Sequence, residues 1–129
     1  YMQALQLCTV PKISIILRKS YGQAYLNMGG GRNSDEVAAW PTAEVSFMDP
    51  TFAVKIVHGL EPGQPGFDEA FAQMNKDSEP WDMAAMYAVQ SVIRPQDTRD
   101  YLIRMLEVHR QRLTNGVGQH LMHAWPTSF

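Results

Sequence analysis

Hydrophobic and polar positions along the chain follow two alternating patterns, one typical of strands and one typical of helices. Residues 12–19 (KISIILRK) form a β-branched apolar run, which predicts a buried parallel strand. In residues 42–48 (TAEVSFM), the apolar residues Ala43, Val45 and Phe47 alternate with polar ones. That alternation predicts a strand. A third, short strand is predicted for residues 89–93 (VQSVI).

Helical patterns separate these strands and carry recognisable start and stop residues. Asp49 followed by Pro50 predicts an N-cap and a first helical residue, and Gly59 predicts the end of that helix. Residues 32–40 (RNSDEVAAW) are predicted to form a loop and a short helix. The remaining helices are predicted at residues 24–28, ended by three glycines, and at 67–76, 80–88 and 94–113.

The alternation of strands and helices predicts an α/β fold with parallel crossover connections. The chain has 129 residues, a net charge of −2, 45% hydrophobic and 19% charged residues, which is ordinary for one domain. This balance argues against a nucleic-acid partner, which usually requires a basic patch. The sequence contains no apolar run of the roughly 20 residues that span a bilayer, so we expect no membrane association.

The single cysteine and the first residue bear on compartment and completeness. Cys8 cannot form an internal disulfide, which fits a reducing compartment, and we expect it to be a small buried apolar residue. The sequence begins at Tyr1 with an apolar pattern already under way. We therefore expect it to be part of a longer polypeptide or a processed product.

The candidate chemistry lies in residues 18–28 (RKSYGQAYLNM), where a predicted strand turns at Gly22 into a predicted helix. The first turn of a helix leaves amide N–H groups without carbonyl partners, at the positive end of the helix dipole. Such donors suit a developing oxyanion, so we single out Gly22, Gln23 and Ala24. The alternative is a simple turn, with Tyr21 and Tyr25 packed together four residues apart.

Other motifs give weaker predictions. The GGGRN segment lacks the spacing of a phosphate-binding loop, so we interpret it as a helix stop. His120 and His123 have no third ligand at a suitable spacing, and we predict no metal site. His58 and His109 are predicted to lie near helix C-termini, where the dipole favours them.

Three segments resemble a known family. VPKISIILRKSYGQAY resembles the VPK-I-VI-RKAYGGAY segment of the carboxyltransferase β subunits of biotin-dependent acyl-CoA carboxylases, such as propionyl-CoA carboxylase. DEVAAWPTAEVSFM is similar to the family's D-N-AWPTAEIAVMG, and AVQSVIRPQDTRDYLIRMLE to its G-VD-VI-P-TR ending. The resemblance implies a crotonase-like fold. It also implies that residues 1–129 are a partial domain, namely the C-terminal half of the second domain of such a subunit.

The resemblance also implies an activity and its components. A carboxyl group would pass from carboxybiotin, held on a carrier protein, to an acyl-CoA. The backbone N–H groups of Gln23 and Ala24 would form the oxyanion hole on the biotin side, and Tyr21, Gly22 and Tyr25 would contact biotin. The implied partners are the N-terminal remainder of the subunit, a biotin carboxylase, the biotin carrier protein and further copies in a homo-oligomer. The implied location is the cytoplasm, or the mitochondrial matrix in a eukaryote.

The chain departs from the family pattern at Gln23, where the family usually has glycine. Two alternatives therefore remain open at the level of the sequence. One is an acyl-CoA decarboxylase of the same fold, in which the carboxamide of Gln23 replaces a cofactor contact. The other is a non-catalytic assembly subunit, suggested by the divergent segment 61–80 and the unusual tail, residues 123–129 (HAWPTSF).

Overall fold

A computed structural model describes residues 4–5, 8, 10–31 and 33–113, and the side chains of all of these except 111–113. The strands are β1 (Ile13–Ile16), β2 (Lys19–Tyr21), β3 (Glu36–Ala39), β4 (Glu44–Ser46) and β5 (Ser91–Val92). The helices are α1 (Gly22–Asn27), α2 (Pro50–His58), α3 (Phe67–Lys76), α4 (Pro80–Ala85) and α5 (Thr98–Leu113), with a 3₁₀ turn at Pro95–Asp97. The predicted α/β alternation of strands and helices is therefore present.

The five strands form two small sheets, and every strand pair is parallel. One sheet has the order β1-β3-β5, with Ile13 opposite Glu36 and Ala38 opposite Ser91. The other pairs β2 with β4, with Lys19 opposite Glu44 and Tyr21 opposite Ser46. The single strand predicted for residues 12–19 is thus two strands, because the chain leaves the first sheet after Ile16 and joins the second at Lys19.

The loop and short helix predicted for residues 32–40 were wrong, because this segment contains strand β3. Val37, Ala38 and Ala39 are completely buried, and β3 lies between β1 and β5 in the sheet. Two alanines in a short run carry no strand periodicity, and alanine favours helices in isolation. Only the neighbouring strands give this segment its extended conformation.

The core lies where the two sheets meet, and it contains Ile16, Val37, Ala39, Ala43, Val45 and Val89. Tyr25 and Met83 pack against it. Of the alternating apolar residues, Ala43 and Val45 are buried and Phe47 is not. Strand β4 ends at Ser46, and Phe47 is 84% exposed in the bend that follows.

The predicted helix signals of α2 are confirmed. Asp49 accepts a hydrogen bond from the Thr51 amide over 2.9 Å, Pro50 begins the helix, and Gly59 ends it in the left-handed conformation with φ of 66°. In α3, Phe67 stacks on Phe71 with ring centroids 6.0 Å apart. None of the helices in the described part of the chain combines the length and the hydropathy needed to cross a membrane.

Candidate functional site

The predicted strand–corner–helix arrangement is present, and α1 begins at Gly22 itself. Tyr21 is the N-cap residue in an extended conformation, and Gly22 has φ of +57°, in the left-handed region. A Cβ atom on Gly22 would lie 2.9 Å from the carbonyl oxygen of Phe47. Glycine therefore serves this corner in two ways, by adopting the positive φ and by allowing close approach to the chain after β4.

The amides of Gln23 and Ala24 lie in the first turn of α1, at the positive end of the helix dipole. The N-cap Tyr21 supplies no side-chain hydrogen bond to this turn. Gln23 has an ordinary backbone conformation, because Tyr87 is the one non-glycine residue with positive φ among those described. A side chain at this position is therefore compatible with the corner, because the left-handed backbone conformation falls on Gly22 and not on Gln23.

The side chain of Gln23 runs along the outside of α1. Its Nε2 atom donates a hydrogen bond to Asn27 Oδ1, one turn later, over 3.1 Å. This contact directs the carboxamide toward the C-terminal end of the helix. The carboxamide of Gln23, the residue that departs from the family pattern, is thus hydrogen-bonded to Asn27 on its own helix.

A cleft of about 430 Å³ opens beside the corner, and we call it the corner cleft. One wall comes from α1 and the other from the end of β4 together with α4. Its lining is mostly apolar and consists of Gly22, Gln23, Tyr25, Leu26, Val45, Ser46, Phe47 and Met83. The exposed ring of Phe47, unexpected from the alternation, is therefore part of the cleft wall.

Tyr25 separates the corner cleft from a second cleft of about 500 Å³ that follows β1 and β2. Its hydroxyl oxygen is buried and has no hydrogen-bond partner among the described residues. Its ring packs on Gly30, where a Cβ atom would collide with the ring carbons. Tyr25 therefore packs against the segment that follows α1.

Tyr21 is held by a carboxylate. Its hydroxyl donates a hydrogen bond to Glu44 Oε2 over 2.5 Å, joining β2 to β4. Burial, this hydrogen bond and the charges of Glu44 and Asp49 together raise the pKa of Tyr21 above the ordinary value of tyrosine. The phenol is therefore protonated at neutral pH and remains a donor to Glu44. Sequence reasoning missed Glu44, although its place between two buried residues of a strand was a signal for a polar partner.

The other candidates lie away from the corner cleft. His58 is the last residue of α2 and His109 lies near the end of α5, so both are near helix C-termini as predicted. His109 is buried, and its Nε2 atom lies 3.7 Å from Glu36 Oε1. Cys8 is exposed, so the predicted buried role was wrong. No three His, Cys, Asp or Glu side chains come together as a metal site within the described ranges. His120 and His123 lie outside those ranges.

Comparison with known proteins gives consistent matches over most of the chain. The carboxyl transferase domain family matches residues 1–120. The chain is 33% identical to methylmalonyl-CoA decarboxylase subunit alpha of Propionigenium modestum over 122 residues, which are 87% of this chain and 24% of that protein. It is 36% identical to the mitochondrial propionyl-CoA carboxylase beta chain of Rattus norvegicus over 112 residues, 83% of this chain and 20% of that one.

Solved structures agree in fold. The chain superposes on transcarboxylase 12S, solved as a hexamer with methylmalonyl-CoA bound, with a TM-score of 0.79, 33% identity, and coverage of 85% of this chain and 22% of that one. The beta subunit of Pseudomonas aeruginosa geranyl-CoA carboxylase gives a TM-score of 0.73 at 23% identity, covering 86% and 23%, which supports the fold alone. The chain thus spans about a quarter of the length of these relatives. It belongs to the carboxyl transferase domain family and has the α/β, crotonase-like fold of that family.

Proposed function

We propose that the polypeptide containing this chain transfers a carboxyl group between carboxybiotin and an acyl-CoA, and that the corner cleft receives the biotin. The observation that carries the proposal is the meeting of the first turn of α1 with a mostly apolar cleft. The family match and the relatives named as carboxylase and carboxyltransferase subunits support it.

The residues of the cleft fit this group. Biotin combines an apolar bicyclic body with a polar ureido oxygen. The corner cleft combines apolar side chains, among them Val45, Phe47 and Met83, with the first two residues of α1 on one wall; Ala24 follows them in the same helical turn. Bound biotin would supply the carboxyl group and a ureido oxygen on which negative charge develops. The protein's part would be to hold that oxygen and to exclude water around it.

In this proposal the N–H groups of Gln23 and Ala24 donate to the ureido oxygen. The positive end of the α1 dipole adds to their effect. Donors that are fixed before reaction avoid a reorganisation cost when charge develops, and this is often the largest single catalytic contribution. Gly22 and Tyr25 would bound the biotin side of the cleft, and the ring of Tyr21 would contribute at its base. The chain's own residues supply no side-chain nucleophile to this scheme.

The acyl-CoA side and the partners are proposed from the family. We propose that the chain is the C-terminal half of the second domain of a subunit, since it spans 20–24% of the first relatives. Strand β1 lies at the edge of its sheet. On α2, Phe52, Ile56 and Val57 are more than half exposed. These unpartnered surfaces support contact with the N-terminal remainder of the subunit and with further copies in a homo-oligomer, beside a biotin carboxylase and a biotin carrier protein.

Substitutions at Gln23 test the oxyanion role in the intact, assembled enzyme. Gln23→Pro removes one N–H group at a helix position where proline is tolerated, so we expect turnover to fall by roughly 100- to 1000-fold. Gln23→Gly and Gln23→Ala keep the amide and serve as matched controls, with turnover close to wild type. A folded Gln23→Pro enzyme that transfers carboxyl groups as fast as these controls would refute the assignment.

A second candidate is decarboxylation of a malonyl-type thioester by the same site. Two similar proteins are named methylmalonyl-CoA decarboxylase subunit alpha, one from Propionigenium modestum and one from Veillonella parvula, at 33% and 31% identity. Loss of the carboxyl group from such a thioester in the presence of avidin would favour a decarboxylase that works without biotin. Complete inhibition by avidin would favour carboxyl transfer through biotin.

A further inference from the structure

The hydrogen bond from Tyr21 to Glu44 joins the two strands that lead into the walls of the corner cleft. Tyr21 immediately precedes Gly22 and Gln23, which line one wall, and Glu44 immediately precedes Val45, Ser46 and Phe47, which line the other. Each of the two residues therefore comes directly before the segment that forms one wall of the cleft. The hydrogen bond between Tyr21 and Glu44 therefore holds together the beginnings of the two wall segments.

The bond also opposes sliding of the two strands. In the parallel pair, Tyr21 lies opposite Ser46 and Lys19 lies opposite Glu44, so the phenol reaches back by two positions to its acceptor. Each strand has only three residues, so few main-chain bonds hold the register. A short hydrogen bond from a hydroxyl to a carboxylate is stronger than a bond between neutral groups. It therefore reinforces the few main-chain bonds between these strands.

The surroundings raise the pKa of the Tyr21 phenol, which therefore stays protonated as a donor. Tyr21 and Glu44 are partly buried, and Arg18 and Asp49 are the other charged groups that act on the phenol.

Val45, the residue after Glu44, is anchored on its other side by a hydrogen bond from its amide to the carbonyl of Ser78 over 2.9 Å. The β4 wall is thus held from two directions, by Ser78 and by Tyr21.

We propose that Tyr21 and Glu44 are positioning residues, whose hydrogen bond sets the distance between the helix-start amides of α1 and the Phe47 wall of the corner cleft. The proposal rests on the proposed function, in which the amides of Gln23 and Ala24 stabilise charge. A displacement of about 1 Å at such a site costs on the order of 100-fold in rate. Loss of the hydrogen bond between Tyr21 and Glu44 therefore slows the chemical step. The affinity of the enzyme for acyl-CoA, which binds elsewhere, does not change.

The chain offers a matched control for a merely structural bond. Thr42 Oγ1 donates to the carbonyl of Leu17 over 2.8 Å. This bond joins the segments that lead into the same two strands, but at their start, away from the cleft. Thr42→Val removes it and leaves the cleft end of the strand pair unchanged.

The experiment compares four variants of the intact, assembled enzyme. For Tyr21→Phe and Glu44→Ala we expect kcat to fall by about 10- to 100-fold, with the KM for acyl-CoA within about twofold of wild type. Glu44→Gln keeps a carbonyl acceptor and is expected to recover kcat to within about threefold of wild type. Thr42→Val is expected to leave kcat unchanged within about twofold, because its bond is remote from the cleft.

Amide hydrogen exchange of residues 22–24 provides a readout that is independent of activity. We expect faster exchange there in Tyr21→Phe and Glu44→Ala, and wild-type exchange in Thr42→Val. If Tyr21→Phe and Thr42→Val match in both kcat and exchange, the positioning role is overturned. If Tyr21→Phe does not assemble, the comparison of Glu44→Ala with Glu44→Gln decides in the same way. An inactive wild-type enzyme would refute the proposed function, and the exchange rates would still decide the positioning role.

Discussion

The ring of Tyr25 occupies the space into which any side chain on Gly30 would project. Gly30 is buried, and its amide donates a hydrogen bond to the carbonyl of Tyr25 over 2.9 Å. The first residues after α1 therefore fold back under the tyrosine that separates the two clefts. The glycine run, a simple helix stop in the sequence, fixes the position of a cleft wall.

This contact predicts the effect of Gly30→Ala. The added methyl group would collide with the ring of Tyr25, so we expect the free energy of unfolding to fall by roughly 1–3 kcal/mol, as for other overpacked cores. Urea unfolding of the intact polypeptide measures this loss. In a Tyr25→Leu background, which removes the ring, the same substitution is expected to cost less. An equal cost in both backgrounds would show that the ring is not responsible.

Gly22→Ala tests the requirement for glycine at the corner. Gly22 and Gly59 both have φ near the left-handed helix value, at +57° and +66°. An alanine in that conformation costs about 1–2 kcal/mol at either site. Only at Gly22 does the new Cβ also approach a main-chain carbonyl, that of Phe47, to 2.9 Å. We therefore expect a lower urea midpoint for Gly22→Ala than for Gly59→Ala, and the opposite order would contradict the close approach.

The indole of Trp40 connects the end of β3 to the start of α5. Its Nε1 atom donates to Thr98 Oγ1 over 2.9 Å, and both residues are partly buried. Thr98→Val removes the acceptor at nearly constant volume and is expected to destabilise the fold by about 1 kcal/mol. Thr98→Ser keeps the hydroxyl and is the control. Equal stability of the two variants in urea unfolding would mean that the bond adds nothing.

The raised pKa of Tyr21 predicts a loss of stability in alkali. Free tyrosine ionises at about pH 10, and burial together with Glu44 raises the pKa of Tyr21 in the folded state. The folded state then binds its proton more tightly than the unfolded state. The resulting stabilisation is complete below about pH 10 and is lost as the pH rises through the folded pKa.

The corresponding measurement compares wild type with Tyr21→Phe. We expect the difference in their free energies of unfolding to be larger at about pH 8 than at about pH 11. Tyr101→Phe is a useful second variant, because burial and the charge of Glu36 raise the pKa of Tyr101 as well, at a place remote from the corner. If the difference in free energy of unfolding between wild type and Tyr21→Phe does not change with pH, the hydrogen bond from Tyr21 to Glu44 is contradicted.

Local signals were sufficient for the elements with clear ends. Asp49, Pro50 and Gly59 predicted α2 because an N-cap acceptor, a proline and a left-handed glycine each act within one turn of the chain. The β-branched run predicted β1, and Gly22 predicted the corner. The resemblance of three segments predicted the family, which the match over residues 1–120 confirmed.

The sequence by itself therefore determined the alternating α/β order, the corner at Gly22 and the family, since each depends on neighbours along the chain or on recognisable segments. Only the tertiary structure decided that Glu36–Ala39 is a strand, that Phe47 lines a cleft, and that Tyr21 is held by Glu44. The reason is that each of these depends on a partner from a distant segment. A buried alanine takes the conformation of the strands beside it, and a phenol finds its carboxylate only when two short strands come into register.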